Sequence, residues 1–315
     1  MLRFIANRLI VVPFILFGMS LLVFFLMRLI PGDAAAVLLG PYAMPEAVAE
    51  LRRGLGLDLP AVQQYGIWLK HVIVGDFGRS ISFSMPVLDV LVPRALNSLL
   101  LTLAAFLIAS VFGIGLGVLA AVKQNSRIDK ISVTGSLLLA NAPPFWLGFL
   151  LAIYFALHLK LLPSSGMTVI GRPSGPLVIL SHLILPAVTA ALIPLAVILR
   201  LTRAAMIDIL KQQYVTAARA RGFSEWRVIT GYALRNAMPG IVNICGLQLG
   251  YLFGTALFSE VVFNWPGIGQ LMYNSIISRD VPVIQAVVLC VGALFVLVNF
   301  ISDITQAALD PRVRA

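Results

Sequence analysis

The sequence predicts an all-α integral membrane protein with about six transmembrane helices. Hydrophobic residues make up 60% of the 315-residue chain and charged residues only 11%, whereas soluble domains carry roughly 25% charged residues. The apolar residues also form uninterrupted runs long enough to cross a bilayer. The excess of 23 Lys and Arg over 13 Asp and Glu is typical of cytoplasmic loops facing anionic lipid, and we prefer this interpretation to nucleic-acid binding.

The first span is predicted at 9–27, an uncharged run between Arg8 and Arg28. As a helix it is about 28 Å long at 1.5 Å per residue, which matches the hydrocarbon core. A cleaved signal peptide is the alternative. The run is longer than the usual apolar region of such a peptide, and no small-residue cleavage site precedes the segment RLIPGD. We therefore expect a membrane helix.

Further apolar runs of spanning length are predicted at 96–122, 131–157, 182–202, 241–263 and 283–306. Basic residues concentrate before the first span and in the connections after the second and fourth spans, which indicates that these segments are cytoplasmic. Six spans then place both termini in the cytoplasm. The connection 31–95 mixes acidic and basic residues, is long enough to translocate regardless of charge, and is expected to face outward.

Within this outward connection, two segments begin at a proline and end at a glycine. They are MPEAVAELRRGLG and LPAVQQYGIWLKHVIVG. This punctuation is typical of short helices, which can lie at the membrane interface or outside the membrane.

Glycines recur at helix-packing intervals in the second and fifth spans. Gly113 and Gly117 are one turn apart, and so are Gly246, Gly250 and Gly254. Small residues at this spacing permit close backbone approach between membrane helices. The spacing leaves open whether the neighbour belongs to the same chain or to another subunit.

Prolines interrupt the third and fourth predicted spans. Pro143 and Pro144 remove helical hydrogen bonds in the third span, and Pro186 and Pro194 do so in the fourth. A break at membrane depth is tolerated where protein or a water-filled cavity satisfies the freed carbonyls. These prolines therefore indicate either a pathway or hinge, with Pro143 and Pro144 as its candidates, or simple packing kinks.

The sequence carries little chemistry of its own. Glu260 and Asp303 lie near span ends, where interfacial placement is expected, and no Gly-Lys pair is present for a phosphate-binding loop. The histidines lack metal-ligand spacing, so no metal site is predicted. An ion-coupled secondary transporter would favour central carboxylates and matching broken helices in two halves, and neither is found. A membrane scaffold or sensor remains a further alternative.

The connection 203–240 is the most distinctive segment of the chain. Its charges are too costly to bury in lipid, and the run RAAMIDILKQQYVTAARAR, which lacks Gly and Pro, predicts a helix up to Arg221. Gly222 is placed to end that helix in a left-handed cap, Ser224 to cap the next helix, and Glu225 to favour the start of that helix. The segment is thus predicted to form a helix, a glycine turn and a second helix.

The helix before the turn has an unusual face, with Tyr214, Ala217, Ala218 and Arg221 at helical spacing. The alanines let another protein approach closely, while Arg219 and Arg221 can bond carboxylates. A docking surface is therefore predicted. The alternatives are a basic segment lying on anionic lipid and a DNA-reading helix-turn-helix, which tethering to two spans disfavours.

These residues resemble the EAA loop of ABC-importer permeases. Thr216 stands at the Glu position of that pattern, Ala217 and Ala218 match its alanines, Gly222 matches its glycine and Leu234 its later leucine, whereas Tyr232 and Arg235 depart from it. The form YVTAARARGFSEWRV is similar to that of the peptide/nickel subfamily. The segments FLMRLIPGDAA, GDFGRS, VFNWPGIGQL, RDVPVIQA and ALDPRVR also resemble that subfamily in order, and the long outward loop is similar to that of its first permease subunit.

The resemblance implies the type I ABC-importer transmembrane fold in the bacterial cytoplasmic membrane. Its implied partners are a second homologous permease subunit, two cytoplasmic ATPase subunits that carry ATP and Mg, and an extracytoplasmic solute-binding protein. The chain itself would bind no cofactor and perform no covalent chemistry. ATPase coupling would rest on Ala217, Ala218 and Gly222 for close docking, with polar contacts from Arg219, Arg221 and Glu225, beside Tyr214 and Thr216. Dipeptides or oligopeptides are the expected cargo, with nickel chelate, glutathione, opine or sugar as alternatives.

The expected organisation has four segments. They are an N-terminal membrane helix at 1–30, an outward loop with short helices at 31–95, a core permease domain of five spans at 96–306 that includes the coupling loop 203–240, and a cytoplasmic tail at 307–315.

Overall fold

The computed structural model describes residues 2–29, 44–54, 56–168 and 175–309. Within these ranges the chain is helical, and the only β pairing is an isolated bridge between Arg79 and Pro86, so the predicted all-α class is confirmed. The helices are α1 (Leu2–Arg28), α2 (Pro45–Gly54), α3 (Ala61–Ile73), α4 (Val87–Val122), α5 (Arg127–Asn141), α6 (Pro144–His158), α7 (Pro176–Leu210), α8 (Gln213–Ala220), α9 (Glu225–Val262), α10 (Ile268–Ile277) and α11 (Val281–Leu309).

Five of the six predicted spans correspond to single helices, and the remaining one corresponds to a bent pair of helices. In the described residues, five helices are long and apolar enough to cross a membrane, namely α1, α4, α7, α9 and α11. The third predicted span, 131–157, is the pair α5 and α6, which is bent by 110°. Boundaries also move outward, because α4 begins at Val87 rather than at 96 and α7 covers Pro176–Leu210 rather than 182–202.

The prolines of the third predicted span lie at a break between two helices, whereas those of the fourth lie inside one continuous helix. Ala142 and Pro143 adopt extended backbone with ψ of 139° and 131°, and Pro144 occupies the first turn of α6, where its missing N–H costs no hydrogen bond. Helix α7 instead continues through Pro186 and Pro194. Pro194 deprives the Ala190 carbonyl of its helical donor. The Thr255 hydroxyl of α9 lies 3.5 Å from that carbonyl and 3.1 Å from the Leu252 carbonyl of its own helix, so its one proton is better placed to donate to Leu252.

The chain divides into two compact units, the first built around residues 95–270 and the second around 6–94 and 271–294. Helix α7 is the centre of the first unit. Its residues Ile198 and Met206 are fully buried in a cluster with Leu101 of α4 and with Ile241 and Leu252 of α9. The core of this unit therefore joins three membrane helices side by side.

Glycine permits the close approach of α4 to α7. A Cβ atom at Gly113 would lie 2.9 Å from Cβ of Ile198, and one at Gly117 would lie 2.7 Å from the carbonyl oxygen of Leu199. Such distances are shorter than van der Waals contact, so a side chain at either position would force the helices apart. The neighbour that the glycine spacing left open is therefore a helix of the same chain.

The glycines of the fifth predicted span do not share one environment. A Cβ atom at Gly250 would lie 3.2 Å from Oδ1 of Asn299, and Gly246 is half-buried. Gly254 is exposed, with nothing in the chain within 4 Å of its Cβ position. The packing contact expected at Gly254 is therefore not made within the described chain, because that edge of α9 faces outward.

In the second unit, α3 packs on α1 through aromatic rings. The Tyr65 ring lies 5.3 Å from the Phe24 ring and 6.3 Å from the Phe17 ring. The predicted short helices at 45–54 and 61–73 are present. A fully buried Asp280, just before α11, accepts hydrogen bonds from Ser80 Oγ at 2.5 Å and from Ser82 N at 3.0 Å, so the loop before α4 is held to the start of α11.

Parts of the predicted organisation lie outside the described residues. These include the start of the outward loop at 31–43 and the tail at 310–315, whereas 307–309 belong to α11. The side chain of Asp303 also lies outside the described part.

Candidate functional site

The predicted site at 203–240 forms two helices around a glycine turn, but the first helix is shorter than expected. Helix α7 ends at Leu210, Gln212 is extended with ψ of 147°, and α8 covers Gln213–Ala220. The continuous helix predicted up to Arg221 is therefore wrong. Helix propensity is a weak determinant that tertiary packing overrides, and the turn at Gln212 brings Val215 of α8 into a buried cluster.

Gly222 closes α8 in the predicted left-handed conformation, with φ of 77°. Its N–H donates to the Arg219 carbonyl at 2.9 Å, and the N–H of Phe223 donates to the Ala218 carbonyl at 3.4 Å. This pair of bonds is the Schellman motif, in which the residue with positive φ is usually glycine. No atom lies within 4 Å of the Cβ position, so Gly222 is required for its backbone angle rather than for space.

A small apolar cluster fixes α8 against the chain on both sides of it. Val215, Ala218 and Val228 are buried, and Ile209, Leu210, Phe223 and Tyr232 pack against them. The Phe223 and Tyr232 rings stack at 5.6 Å, and the Arg227 guanidinium lies 4.8 Å from the Phe223 ring centre. Helix α8 therefore contacts both the end of α7 and the beginning of α9.

This cluster changes the predicted docking face. Ala218 is only 3% exposed, because its side chain faces Val215 and Val228 rather than solvent. Tyr214, Ala217 and Arg221, with Thr216 beside them, are exposed. Of the four residues expected on this face, only Tyr214, Ala217 and Arg221 are exposed, and we call these three the α8 band. Ala218 packs on the opposite, buried side of α8.

The polar residues expected to reach another protein are partly engaged within the chain. Arg219 donates to both carboxylate oxygens of Glu225, at 2.7 and 3.2 Å, and this pairing raises the pKa of the Arg219 guanidinium above its ordinary value. Ser224 occupies the position before α9, but its side chain makes no capping hydrogen bond. The Arg219–Glu225 pair therefore bridges the two helices across the glycine turn. The Trp226 side chain, which the sequence did not single out, is 76% exposed beside it.

Sequence reasoning missed a buried ion pair near this site. Arg203 of α7 donates to both oxygens of Asp129, at 2.5 and 2.8 Å. The Asp129 side chain is 4% exposed and that of Arg203 is 25% exposed. Asp129 also accepts from the N–H of Asn125, and its own N–H donates to Ser126 Oγ. A serine three residues before an aspartate is a helix-start signal, and this signal could have placed Asp129.

Glu260, which was expected near a span end at the membrane interface, lies two residues before the end of α9 and is enclosed by protein. It is fully buried near the end of α9, where it accepts from Ser98 Oγ at 2.5 Å and from the N–H of Gly269 at 2.6 Å. Gly267 lies so close to the carboxylate that a Cβ atom there would overlap it. Because helix N-termini favour negative charge, Glu260 fixes the start of α10 against α4 and α9. The glycines of NWPGIGQ were the available sequence signal.

No group of three or more His, Cys, Asp and Glu side chains in the described ranges is arranged to hold a metal ion. The features that this fold brings together are an exposed band on α8, an apolar cluster connecting it to two spanning helices, and buried polar contacts at helix ends.

Comparison with known families agrees with this picture. The model described as "Binding-protein-dependent transport system inner membrane component" matches residues 113–315, and the one described as "Binding-prot-dependent transport system membrane comp, N-term" matches residues 1–97. The chain belongs to this family. It is thus a multi-pass inner membrane component of a binding-protein-dependent transport system and is not an enzyme, as the resemblance of its loop and flanking segments implied.

Individual relatives cover the whole chain. It is 34% identical over 335 residues to the dipeptide transport system permease protein DppB of Alkalihalophilus pseudofirmus, with 100% of both chains covered. It is 38% identical over 337 residues to DppB of Escherichia coli K12, and 38% identical over 314 residues to the glutathione transport system permease protein GsiC of the same strain. Both of these matches cover 100% of this chain and 99% of the relative.

A solved structure supports the fold. A chain of the MetNI methionine ABC transporter in an inward-facing conformation matches with a TM-score of 0.59 and 20% identity, over 71% of this chain and 97% of that chain. This likeness concerns the fold, which is that of an ABC importer permease.

Proposed function

We propose that this chain is the permease subunit of an ABC importer that takes up small peptides. With a second homologous permease subunit it forms the pathway for dipeptides or oligopeptides delivered by a solute-binding protein. The observation that carries the proposal is similarity over the full chain to dipeptide permeases from two bacteria. Because this similarity covers the full chain, it includes every span, and therefore also the spans that would line the pathway.

The coupling function is assigned to the α8 band. Two cytoplasmic ATPase subunits, which hold ATP and Mg, serve the permease pair, and one docks on Tyr214, Ala217 and Arg221. Ala217 is exposed and small, so another backbone can approach it closely. Gly222, Thr216 and the Arg219–Glu225 pair shape the edge of the band. The proposed site therefore keeps the predicted residues, with Ala218 as an internal support.

Movement of the ATPases has a direct route into the membrane domain. A force on α8 acts through Val215 and Ala218 on Val228 of α9 and on Leu210 at the end of α7. Helices α7 and α9 share the main core of the first unit, so displacement of α8 is transmitted to a packed pair of spans. The break at Pro143 and Pro144 is the proposed hinge along the pathway.

The proposed orientation places α8, both termini and the Asp129–Arg203 pair on the cytoplasmic side. Short connections with basic residues support this side, because positive residues are retained in the cytoplasm. The proposed organisation keeps the four predicted segments, with the core domain at 96–306, and the helix α4 that leads into this domain begins at Val87.

Glutathione is a second candidate cargo. The 38% identity to GsiC equals that to DppB of Escherichia coli K12, and glutathione is itself a small peptide. The two candidates share the class of pathway and differ in the solute-binding protein that delivers them.

Transport in proteoliposomes tests the proposal. The assembled transporter is supplied with its solute-binding protein, internal ATP and labelled dipeptide, glutathione or nickel chelate. We expect uptake of dipeptide that requires ATP and the binding protein and continues when ionophores collapse ion gradients. Uptake driven by an ion gradient without ATP would establish the secondary-transporter alternative. ATP-dependent uptake of glutathione or nickel chelate without dipeptide would replace the cargo but keep the class.

A further inference from the structure

Helix α3 carries an apolar surface that is wider than the part covered by α1. Tyr65 is buried against α1, but Val62 and Ile73 on the adjacent edge are 73% and 75% exposed. Gly66 lies between them on the same edge, with nothing within 4 Å of its Cβ position. Gln63 and Lys70 lie on the next part of the helix circumference, so α3 is amphipathic with an uncovered apolar edge.

The contacts of α3 with α1 set its depth in the membrane. Tyr65 Oη lies 2.8 Å from Ser20 Oγ, and Arg28 donates to Gln64 at 2.9 Å. Ser20 Oγ itself donates to the Phe17 carbonyl, so the tyrosine hydroxyl is the donor to Ser20. At 1.5 Å per residue, Ser20 lies about 12 Å along α1 from Arg28. Because Arg28 ends the apolar run Ile10–Arg28, the Tyr65 hydroxyl lies alongside this run rather than beyond its end.

The surroundings at this depth are apolar. On α1, Phe14 and Leu22 are exposed, and on a spanning helix such side chains contact lipid. The Trp68 ring packs 5.4 Å from the Phe24 ring, at the level where tryptophan is enriched in membrane proteins. The helix on which α3 packs therefore exposes apolar side chains of its own, as the uncovered edge of α3 does.

We propose that α3 is an interfacial helix whose edge of Val62, Gly66 and Ile73 contacts the acyl chains of one leaflet. Its occupant is membrane lipid, because the edge is apolar and exposed and lies on a helix that packs between the levels of Ser20 and Arg28 on a spanning helix. Lys70 and His71 are exposed on the polar side, where a long basic side chain can reach the headgroups. The helix thus braces the end of α1 from within the membrane.

Nitroxide accessibility tests this placement. Single cysteines at Val62 and Ile73, with Gln63 and Lys70 as controls on the polar side, are introduced after Cys245→Ala and Cys290→Ala. The labelled full-length chain, in its assembled transporter, is placed in nanodiscs of phosphatidylethanolamine and phosphatidylglycerol. Oxygen concentrates in acyl chains, whereas nickel(II) ethylenediaminediacetate stays in water. We expect Val62 and Ile73 to be several-fold more accessible to oxygen than to the nickel complex, and the reverse at Gln63 and Lys70.

Two results overturn the proposal. Equal exposure of all four positions to the nickel complex would place α3 in water. Protection of Val62 and Ile73 from both reagents would show that protein, rather than lipid, covers the edge. Binding of subunits by each labelled variant is measured first, so that only folded transporters are scored. Since all four side chains are exposed, the cysteines are expected to leave assembly unchanged.

Discussion

The turn between α8 and α9 depends most on the backbone conformation of Gly222. Its positive φ and the two Schellman hydrogen bonds end α8 at the point where the chain must turn into α9. Open space at its Cβ position means that a substitution acts through the backbone alone. The effect of a side chain at this position can therefore be separated from any steric effect.

Gly222→Ala is expected to destabilise the transporter by about 1 kcal/mol, because alanine resists the left-handed conformation. Gly222→Asn is the matched control, since asparagine adopts this conformation more readily, and it should lose less. Thermal unfolding of the purified assembly measures both. Equal stability of the alanine and asparagine variants would show that the backbone angle is not the reason for glycine here.

Residue identity alone placed some of these features and missed others. Gly222 could be predicted because few residues other than glycine adopt positive φ. The inward position of Ala218 could not, because alanine is compatible with either side of α8 and only the contacts with Val215 and Val228 decide it. Arg203 lies 74 residues from Asp129, and Ser98 lies 162 residues from Glu260, and no local pattern specifies these distant partners.

At the level of elements, the approach of α4 to α7 depends on glycines that face α7. Gly113 and Gly117 face α7, whereas the Cβ position of Gly115 in the same helix is open. Helix α4 therefore contains its own internal comparison, in which the same substitution meets either backbone or empty space.

Gly117→Ala should destabilise the protein by about 1 to 3 kcal/mol, because the added methyl group would meet the Leu199 carbonyl and Thr202 and force the helices apart. Gly115→Ala should be neutral or slightly stabilising, since alanine is the better helix former. Thermal unfolding in one detergent compares the two. If Gly117→Ala is as stable as Gly115→Ala, the close approach of α4 and α7 is incorrect.

A second contact between elements is the ion pair that joins the start of α5 to α7. Asp129→Asn should cost on the order of 2 to 3 kcal/mol, because it leaves the Arg203 guanidinium partly buried beside a neutral partner. The exposed Arg219–Glu225 pair is the control, and Arg219→Gln should cost under about 1 kcal/mol.

A double-mutant cycle of Asp129→Asn and Arg203→Gln, followed by thermal unfolding, isolates the pair. We expect the double variant to lose less stability than the sum of the two single variants. Strict additivity would mean that the two side chains do not interact in the folded protein.

Whether a helix or turn could be predicted also depends on whether a local sequence pattern marks it. Helices α1, α4, α7, α9 and α11 were predictable because the need to cross about 30 Å of hydrocarbon leaves a long apolar run in the sequence. The turn at Gln212 and the 110° bend between α5 and α6 depend on packing. Pro143 and Pro144 mark the bend between α5 and α6 in the sequence. The turn at Gln212 has neither proline nor glycine to mark it.

For the whole molecule, the chain combines membrane spans with the exposed α8 band, the proposed docking surface, and its sequence carries no phosphate-binding motif. Its membership in the binding-protein-dependent transport family and the exposed α8 band both indicate that it is one subunit of a larger transport complex. The proposed partner on this band is an ATPase subunit.

Co-purification of the ATPase subunits with the Ala217→Glu variant tests this docking. The substitution places a charged side chain on the exposed band, and Ala49→Glu on the exposed surface of α2 is the matched control. We expect the wild type and Ala49→Glu to retain the ATPase subunits, and Ala217→Glu to retain several-fold less of them at unchanged membrane insertion. Full retention of the ATPase subunits by Ala217→Glu would show that they do not dock on the α8 band.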